Sequence, residues 1–401
     1  MIDTVRLSQE VVFDKWELIK KHHWKYFGNP NPNSPYRKIL SKKLKQFGLY
    51  FAYFPPIGYE PGILWIRFSS LPKFLHGSNV WYLTRNDLNR LEKKFQKVLR
   101  SIGITNGVSL DTLRIRIIDI AFNLDFKFES LARKLLKAFK EMAHWGLAFP
   151  KRIEMYGVYF RYRPSPNSKR SSAGNAGLLI YDKKKGRLRL EVRINRTEGV
   201  KRHFGGNITI PEFFDKQEEV KNLFMKNLKR AYIYPESQMI SYAKAERIVL
   251  NAVPKYRMFN KRAQQFWALT HLGEDAVGFS LGLRSKYAAD RFRDVFMGKK
   301  LGLSMAFLGD DDDREIPLWN MVMEEIGAAF DGRSKFQRVN YYDNQIRVDH
   351  SLHTPIFKSP MDVGRWVFSM FAELRRYVLQ LSCNRAFWSL SISKDRTGAV
   401  W

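Results

Sequence analysis

The stretch GLLIYDKKKGRLRLEVR, at residues 177–193, predicts a β-hairpin around which the rest of the chain can be interpreted. Two runs rich in apolar and alternating residues flank a Lys-Lys-Lys-Gly turn, a pattern typical of antiparallel strands joined by a short loop. Successive side chains of a strand point to opposite faces of a sheet. One face of the hairpin is therefore expected to carry a tyrosine, three arginines and a carboxylate: Tyr181, Arg187, Arg189, Arg193 and Glu191.

The register of this hairpin decides how close the tyrosine comes to the carboxylate. With the turn centred on Lys184, Tyr181 pairs with Arg187, and Gly177 pairs with Glu191. At about 3.3 Å per residue, Glu191 then lies roughly 13 Å along the sheet from the Tyr181 pair. This register predicts a shared face without direct contact between the two groups.

A second carboxylate lies inside the run LRIRIIDIAFNLD, at residues 113–125, which predicts a long strand. Asp119 shares one face of that strand with Asn123 and Asp125, because side chains alternate. A carboxylate among apolar neighbours is costly unless it is paired or binds a cation. Asp119 is therefore either a cation ligand or, in the plainer interpretation, an edge-strand aspartate that pairs with an arginine.

The order of predicted elements favours an α+β fold. The predicted strands are residues 3–7, 62–70, 113–126, 153–163 and 177–195; predicted helices follow a capping box at Thr84 and Asp87, cover residues 131–142, and lie around residues 215–231. This order predicts a largely antiparallel sheet with helices packed on it. Two further predicted helices, at residues 261–271 and 284–297, indicate a mainly helical C-terminal region.

Composition limits the class of partner. The 401 residues include 69 Lys and Arg against 39 Asp and Glu, a net charge of +30. Such an excess attracts polyanions, of which nucleic acid is the commonest and an anionic membrane surface the rival. The sequence has no run of 18 apolar residues, so no membrane span is predicted. The start MIDTVRLSQE does not resemble a secretory signal. The single cysteine, Cys383, excludes a disulfide framework and fits a reducing cytoplasm.

A phenol near two acids suggests metal-assisted attack on a phosphodiester. The phenol is a poor nucleophile at neutral pH, since its ordinary pKa is about 10. A divalent cation held by Asp119 and Glu191 would polarise the phosphate, and Mg²⁺ or Mn²⁺ suits such oxygen ligands. The arginines of the same face would hold DNA phosphates. The plainer interpretation of Tyr181 is a tyrosine in the core or at the rim of a strand.

Other candidate groups lie outside this hairpin. His76, in a glycine-containing segment, is a possible third metal ligand, whereas the remaining histidines have no His-x-His spacing. The acidic run at residues 310–313 is interpreted as a solvated loop. Residues 262–303 predict either a helix-turn-helix or a plain helical pair. Its outward-facing cations are expected to contact DNA: Arg284, Lys286 and Arg291.

Four blocks of residues 1–195 resemble the replication initiators of filamentous phages and related plasmids, the gene II family of rolling-circle proteins. The blocks are the opening MIDTVRL; a Lys-x-Leu-x-Gly-x-Asn block at Lys73, Leu75, Gly77 and Asn79; the strand around Asp119; and the Tyr-Asp-Lys and Leu-Glu-Val-Arg strands of the hairpin. They occur in the same order as in that family. The chain departs from the broader class of nickases because it has no His-hydrophobe-His motif.

The resemblance implies a site-specific nickase and strand transferase with a rolling-circle Rep nuclease-like fold. Tyr181 is the expected nucleophile, with Tyr159 in reserve, and Asp119 and Glu191 are the expected metal ligands. His76 could join these acids, although the family block does not require a histidine there, and Lys73 and Asn79 are expected to bind DNA. The implied substrates are an origin duplex and its single strand, with a host helicase and polymerase as partners in the host cytoplasm. The expected domains are a nicking domain at 1–205, a helical connection at 206–255 and a DNA-binding domain at 256–401.

Two other functions remain open on the sequence. One is a DNA-binding regulator without chemistry, which the same basic composition would serve. The other is a basic RNA-binding protein that uses the aromatic and basic segments at residues 23–27 and 159–163. Loss of a covalent adduct in a Tyr181→Phe variant that still binds the origin would distinguish the enzyme from the regulator. Competition between single-stranded DNA and RNA of one sequence would test the RNA-binding alternative.

Overall fold

A computed structural model of the chain describes residues 1–27, 38–41, 48–56, 60–105, 107–144, 150–154, 157–161, 176–183, 185–251, 301–304, 306–309, 311–333 and 347–348. In these residues ten strands form one antiparallel sheet, and two very short strands form a separate pair. The strands of the large sheet are β1 (Ile2–Val11), β2 (Lys25–Phe27), β3 (Lys38–Ser41), β4 (Leu49–Phe54), β5 (Gly62–Phe68), β6 (Arg114–Asp125), β7 (Pro150–Glu154), β8 (Gly157–Arg161), β9 (Gly177–Asp182) and β10 (Arg187–Ile194). The separate pair is β11 (Arg314–Glu315) and β12 (Arg347–Val348).

The large sheet has the spatial order β2-β3-β4-β5-β1-β6-β10-β9-β8-β7. The first strand of the chain therefore lies in the middle, between β5 and β6, and β6 joins it to the hairpin of β9 and β10. The central position of β6 explains its apolar sequence, because Ile118, Ile120 and Phe122 are completely buried on one face. This arrangement confirms the predicted α+β fold with a largely antiparallel sheet.

Helices cover one face of the sheet. Their bounds are α1 (Lys15–His22), α2 (Leu71–His76), α3 (Leu88–Ser101), α4 (Glu129–His144), α5 (Thr197–Phe204), α6 (Ile210–Phe213), α7 (Gln217–Arg230), α8 (Tyr242–Asn251) and α9 (Leu318–Phe330). The predicted capping box of Thr84 and Asp87 forms a 3₁₀ turn that leads into α3. Helix α3 places Phe95 against Phe68 of β5, while α4 packs on β8, β9 and β10 and α9 packs on β6.

One cluster of buried apolar side chains runs through the described residues from Met1 to Ala329. It includes residues on both sides of position 205, because α7 packs against the strands that precede it. The expected domain boundaries stay predictions, and the mainly helical region expected from residue 256 lies largely outside the described residues. Among the described residues, no helix combines the length and the apolar character needed to cross a bilayer.

Two expectations about the strands were wrong in detail. The run expected as one strand at 153–163 is divided between β7 and β8, which pair antiparallel. The hairpin register is shifted by two residues, so that Tyr181 pairs with Arg189 and Gly177 pairs with Arg193. The turn centres on Lys185 because residues 185 and 186 both have left-handed backbones, with φ of 55° and 71°.

Glycine at position 186 makes this turn possible. The amide of Phe126 donates a 2.8 Å hydrogen bond to the Gly186 carbonyl, and a Cβ at 186 would lie 2.3 Å from the Phe126 carbonyl oxygen. A side chain would therefore break the close backbone contact, which glycine alone permits. Because the shift is an even number of residues, the predicted face of the hairpin is preserved.

Candidate functional site

The face of the sheet opposite the helices carries the candidate site. Across the central strands, Arg193 pairs with Asp119, and Arg189 pairs with both Asn123 and Tyr181. Glu191 lies between the two arginines on β10, opposite Ala121 of β6. The alternation of strand side chains thus brings together the tyrosine and both acids that the sequence singled out.

Tyr181 contacts Glu191 directly. The Tyr181 hydroxyl donates a 3.0 Å hydrogen bond to Oε2 of Glu191. The corrected register produces this contact, since the two residues are diagonal neighbours on adjacent strands rather than being separated along the sheet. Burial, followed by the charge of Glu191, raises the pKa of the Tyr181 phenol. The phenol is therefore protonated at neutral pH and has a carboxylate acceptor already in place.

Arg193 links the two acids. Its Nε lies 2.6 Å from Oε1 of Glu191 and 3.8 Å from Oδ2 of Asp119. Burial and then the charge of Glu191 raise the pKa of Asp119 to about 7, although Arg193 acts in the opposite direction. The carboxylates share too little positive charge in this arrangement, which favours the approach of a further cation or proton.

A third carboxylate, Asp3, belongs to the same face. Its Oδ2 lies 2.7 Å from an Nη of Arg189, and its Oδ1 accepts a 2.8 Å hydrogen bond from the Ser70 hydroxyl. Arg189 also donates to the backbone carbonyl of Asn79 and lies 3.6 Å from Oε2 of Glu191. This buried arginine therefore neutralises and positions the acids. The expected contact of Arg189 with DNA stays a prediction. Only 3% of this residue is exposed.

Two glycines shape the outer part of the face. A Cβ at Gly157 would lie 2.8 Å from the Cβ of Tyr181, and a Cβ at Gly177 would lie 2.4 Å from the Tyr159 hydroxyl. Glycine at positions 157 and 177 thus leaves room for the side chains of Tyr181 and Tyr159, which a larger residue would displace. Tyr159 shares the face with Tyr181, and the ammonium of Lys183 lies 5.5 Å from the centre of the Tyr181 ring.

The donor set fits a magnesium-like ion only in part. Within the described residues, no group of three His, Cys, Asp or Glu side chains is arranged to hold a metal. Asp119 and Glu191 carry carboxylate oxygens on one face, and Glu191 also contacts Arg193 through Oε1 and Tyr181 through Oε2. Asp3 is engaged by Arg189 and Ser70. Mg²⁺ keeps several waters and commonly uses one or two carboxylates plus substrate phosphates. Two acids would therefore be the protein's share of such a site, and waters and substrate phosphates would supply the remaining ligands.

His76 is not brought to the acids. Its Nε2 lies 3.6 Å from Oδ2 of Asp87, at the start of α3, and burial lowers its pKa. The ion pair of this imidazole is with Asp87, so the geometry gives no support to its expected role as a third metal ligand. His76 is instead the last residue of α2, directly after the buried Phe74 and Leu75.

The remaining predicted residues have separate locations. Lys73 is exposed on α2, and the backbone carbonyl of Asn79 accepts a hydrogen bond from Arg189. Arg187 forms a 2.5 Å ion pair with Asp125 at the turn end of the hairpin. Arg284, Lys286 and Arg291 lie outside the described residues, so their contacts with DNA stay predictions.

Sequence reasoning missed Asp3 and its partner Ser70. The available signal was an acid within the otherwise apolar start of a central strand, MIDTVRL. The pairing itself could not be read from the sequence, because Asp3, Ser70 and Arg189 are brought together only by the β5-β1-β6-β10 order.

Comparison with known proteins found no match to a protein-family model, a curated protein or a solved structure. The function is therefore proposed from the geometry of the site and from the resemblance of the four sequence blocks.

Proposed function

We propose that this chain is a replication initiator with a rolling-circle Rep nuclease-like sheet, which nicks one DNA strand through Tyr181. The observation that carries the proposal is the hydrogen bond from the Tyr181 hydroxyl to Glu191, with Asp119 on the same face. A nucleophile within hydrogen-bond reach of a carboxylate, which is itself held by further groups, is the arrangement that covalent catalysis requires. Arg189 and Arg193 hold Glu191 in place.

The chemistry follows from the direction of this hydrogen bond. As the Tyr181 oxygen attacks the phosphorus of a DNA linkage, the phenol proton passes to Oε2 of Glu191. The bond between phosphorus and O3′ breaks, and the leaving oxygen takes a proton from water. The products are a 5′ phosphate esterified to Tyr181 and a free 3′ hydroxyl. The ester stores the energy of the broken linkage, so rejoining needs no further cofactor.

The reverse reaction gives strand transfer. A 3′ hydroxyl attacks the phosphorus of the phosphotyrosine, its proton is lost to solvent, and the Tyr181 oxygen recovers a proton from Glu191. Tyr159 lies on the same face one strand away and is the candidate for a second cut. Adduct formation by Tyr181→Phe and by Tyr159→Phe, measured separately, decides whether one or both tyrosines act.

Asp119 and Glu191 would hold the divalent cation, Mg²⁺ or Mn²⁺. When bound, that ion would neutralise charge that develops on the phosphate oxygens. The raised pKa of Asp119 supports this assignment, since a buried carboxylate with too few cationic partners gains most from a cation. Arg193, whose side chain is 41% exposed, would contact the phosphate itself.

The proposal includes partners and a location. Origin duplex and displaced single strand would be the substrates, and a host helicase and polymerase would extend the 3′ hydroxyl in the cytoplasm of the host cell. The net charge of +30 supports binding to nucleic acid. DNA contacts by the C-terminal region belong to the same proposal.

The test is capture of a covalent protein–DNA adduct. Internally labelled supercoiled DNA of the replicon that encodes the chain is incubated with the protein and Mg²⁺, then denatured and run on a gel. We expect label on the wild-type protein and none on Tyr181→Phe, with DNA binding retained by the variant. An adduct lost in Tyr159→Phe but kept in Tyr181→Phe would assign the nucleophile to Tyr159 instead. Binding without nicking or an adduct in the wild type would favour a non-catalytic regulator.

A further inference from the structure

A second surface, with aromatic and cationic side chains, lies on the same face of the sheet as the candidate site, across strands β4, β5 and β1. The buried and exposed residues alternate strictly along β5, and its outward residues include Ile63, Trp65 and Arg67. Tyr50 of β4 is 41% exposed and Trp65 is 37% exposed. Large aromatic rings on an open sheet face are costly to leave in water, so this face has the character of a binding surface.

Cations are placed over these rings. The guanidinium carbon of Arg6 lies 5.3 Å from the centre of the Trp65 ring, and that of Arg67 lies 6.0 Å from the Tyr50 ring. Phe54 extends the aromatic row, 5.2 Å from Trp65. Arg6 and Arg67 pair directly across β1 and β5, so their like charges repel each other. Burial, followed by the charge of Arg67, lowers the pKa of Arg6. An anion bound between them would relieve that repulsion.

A groove runs from this aromatic surface to β6, beside the candidate site. Its volume is about 360 Å³, and its lining includes Arg6, Trp65, Arg116 and Arg196. The groove reaches Ile117 on β6, two residues before Asp119. From the strand register, Trp65 and Asp119 are roughly 16 Å apart, taking 3.3 Å per residue and 4.8 Å between strands. One continuous strand of nucleic acid can therefore occupy both places.

We propose that this surface, formed by Tyr50, Trp65, Arg6 and Arg67, binds the single-stranded DNA that flanks the scissile phosphate. Bases stack on the two aromatic rings, and the guanidinium groups contact the backbone. Such a combination of rings and cations binds single strands with little sequence preference. The identity of the occupant rests on the proposed function, whereas the contacts themselves rest on the geometry of the sheet.

The test measures binding separately from chemistry. A fluorescein-labelled oligothymidylate is titrated with protein in EDTA, in a Tyr181→Phe background, and followed by fluorescence anisotropy. Trp65→Ala and Tyr50→Ala are each expected to weaken binding by about fivefold to a hundredfold, the usual effect of losing one stacked base. Trp16→Ala is the matched control, because Trp16 is an exposed tryptophan on α1 and not on strands β1, β4 or β5, and its loss should leave the affinity unchanged.

Two further measurements make the outcome decisive. Trp65→Phe should keep most of the affinity, since it retains a ring for stacking, and equal loss in the Phe and Ala variants would contradict stacking. Arg67→Gln should reduce the slope of log affinity against log salt by about 0.7, as expected for one lost phosphate contact on a single strand. Unchanged binding in both alanine variants would overturn the proposal.

The outcomes also separate this proposal from the proposed function. Equal or tighter binding of the matching RNA or of duplex DNA, with the same dependence on Trp65, would overturn single-stranded DNA as the occupant. A wild-type adduct at Tyr181 with no effect of Trp65→Ala on binding would leave the nickase intact and reject the surface. Weakened binding in Trp65→Ala, with no adduct in the wild type, would support the surface and reject the nickase.

Discussion

The Tyr181 hydroxyl lies 3.0 Å from Oε2 of Glu191, although the two residues are diagonal neighbours on adjacent strands and do not pair directly. Glu191 is 2% exposed, whereas Tyr181 is only partly buried. The phenol therefore remains within reach of a substrate while its proton acceptor is withdrawn from solvent. This relationship is the basis of the proposed proton transfer.

Replacement of Glu191 by Gln should abolish that transfer. The amide keeps the size of the side chain but is too weak a base to take the phenol proton. We expect the rate of adduct formation to fall by about 10²–10⁴-fold, the usual contribution of a positioned general base, together with loss of a metal ligand. The measurement is the single-turnover rate of label transfer to the protein. Asp111→Asn, at an exposed turn, serves as the control and should react at the wild-type rate.

Replacement of Asp119 by Asn should stabilise the metal-free protein. The folded-state pKa of about 7 lies above the unfolded value of about 3.9, so the contribution of this group to stability is fully present at acidic pH. It is lost as the pH rises through 7. In EDTA at pH 8, we expect Asp119→Asn to raise the free energy of unfolding by about 1–3 kcal/mol, with no gain near pH 4.

Urea unfolding at both pH values checks this prediction, and thermal unfolding adds a test of metal binding. Mg²⁺ or Mn²⁺ should raise the melting temperature of the wild type, because a ligand that binds the folded state stabilises it. The same addition should have little effect on Asp119→Asn. A variant less stable than the wild type at pH 8, or equally stabilised by metal, would contradict the assigned role of Asp119.

Removal of the buried arginine should be strongly destabilising. Arg189→Met leaves Asp3 without its close cation, in a site that water hardly reaches, and leaves Glu191 with Arg193 alone. We expect a loss of about 3–5 kcal/mol in the free energy of unfolding. The double variant with Asp3→Asn should recover part of that loss, since residues in contact are energetically coupled.

The exposed pair of Arg133 and Glu129 provides the comparison for Arg189. Its side chains are 65% and 47% exposed, so Arg133→Met should change stability by no more than about 0.5 kcal/mol. Full additivity of Arg189→Met and Asp3→Asn would show that the pair does not act as one unit.

Substitution of Gly157 should disturb Tyr181 through packing alone. An alanine Cβ would lie 2.8 Å from the Cβ of Tyr181 and 2.9 Å from the backbone carbonyl of Ile180, neither of which can move freely. We expect Gly157→Ala to cost about 1–3 kcal/mol of stability and to slow adduct formation. At Gly206 a Cβ would meet no atom within 4 Å, so Gly206→Ala is the matched control. Similar stability of both variants would count against the close packing at Gly157.

The sequence was sufficient to predict the face of the site but not its contacts. Alternation along residues 113–125 and 177–193 placed Asp119, Glu191 and Tyr181 on the same side of a sheet. The contact between Tyr181 and Glu191 depended on the turn, where the left-handed residues 185 and 186 shift the register by two positions. Turn geometry is a tertiary result here, since Phe126 fixes the position of Gly186.

Longer-range features were beyond pattern reasoning. The sequence could not show that His76, at the end of α2, pairs with Asp87 before α3 instead of joining the acids of the sheet. The aromatic surface of Tyr50 and Trp65 depends on β4, β5 and β1 lying side by side, with Arg6 contributed from a distant part of the chain. Only the strand order could reveal it.

The most direct test of the central claim is the location of the DNA on the protein. After reaction of the wild type with its replicon DNA and Mg²⁺, nuclease and protease digestion leave a nucleotide-bearing peptide that mass spectrometry can sequence. The account predicts a 5′-nucleotide phosphate on the Tyr181 oxygen. An adduct mapped to a different residue, or nicking that continues at the wild-type rate in Tyr181→Phe, would contradict it.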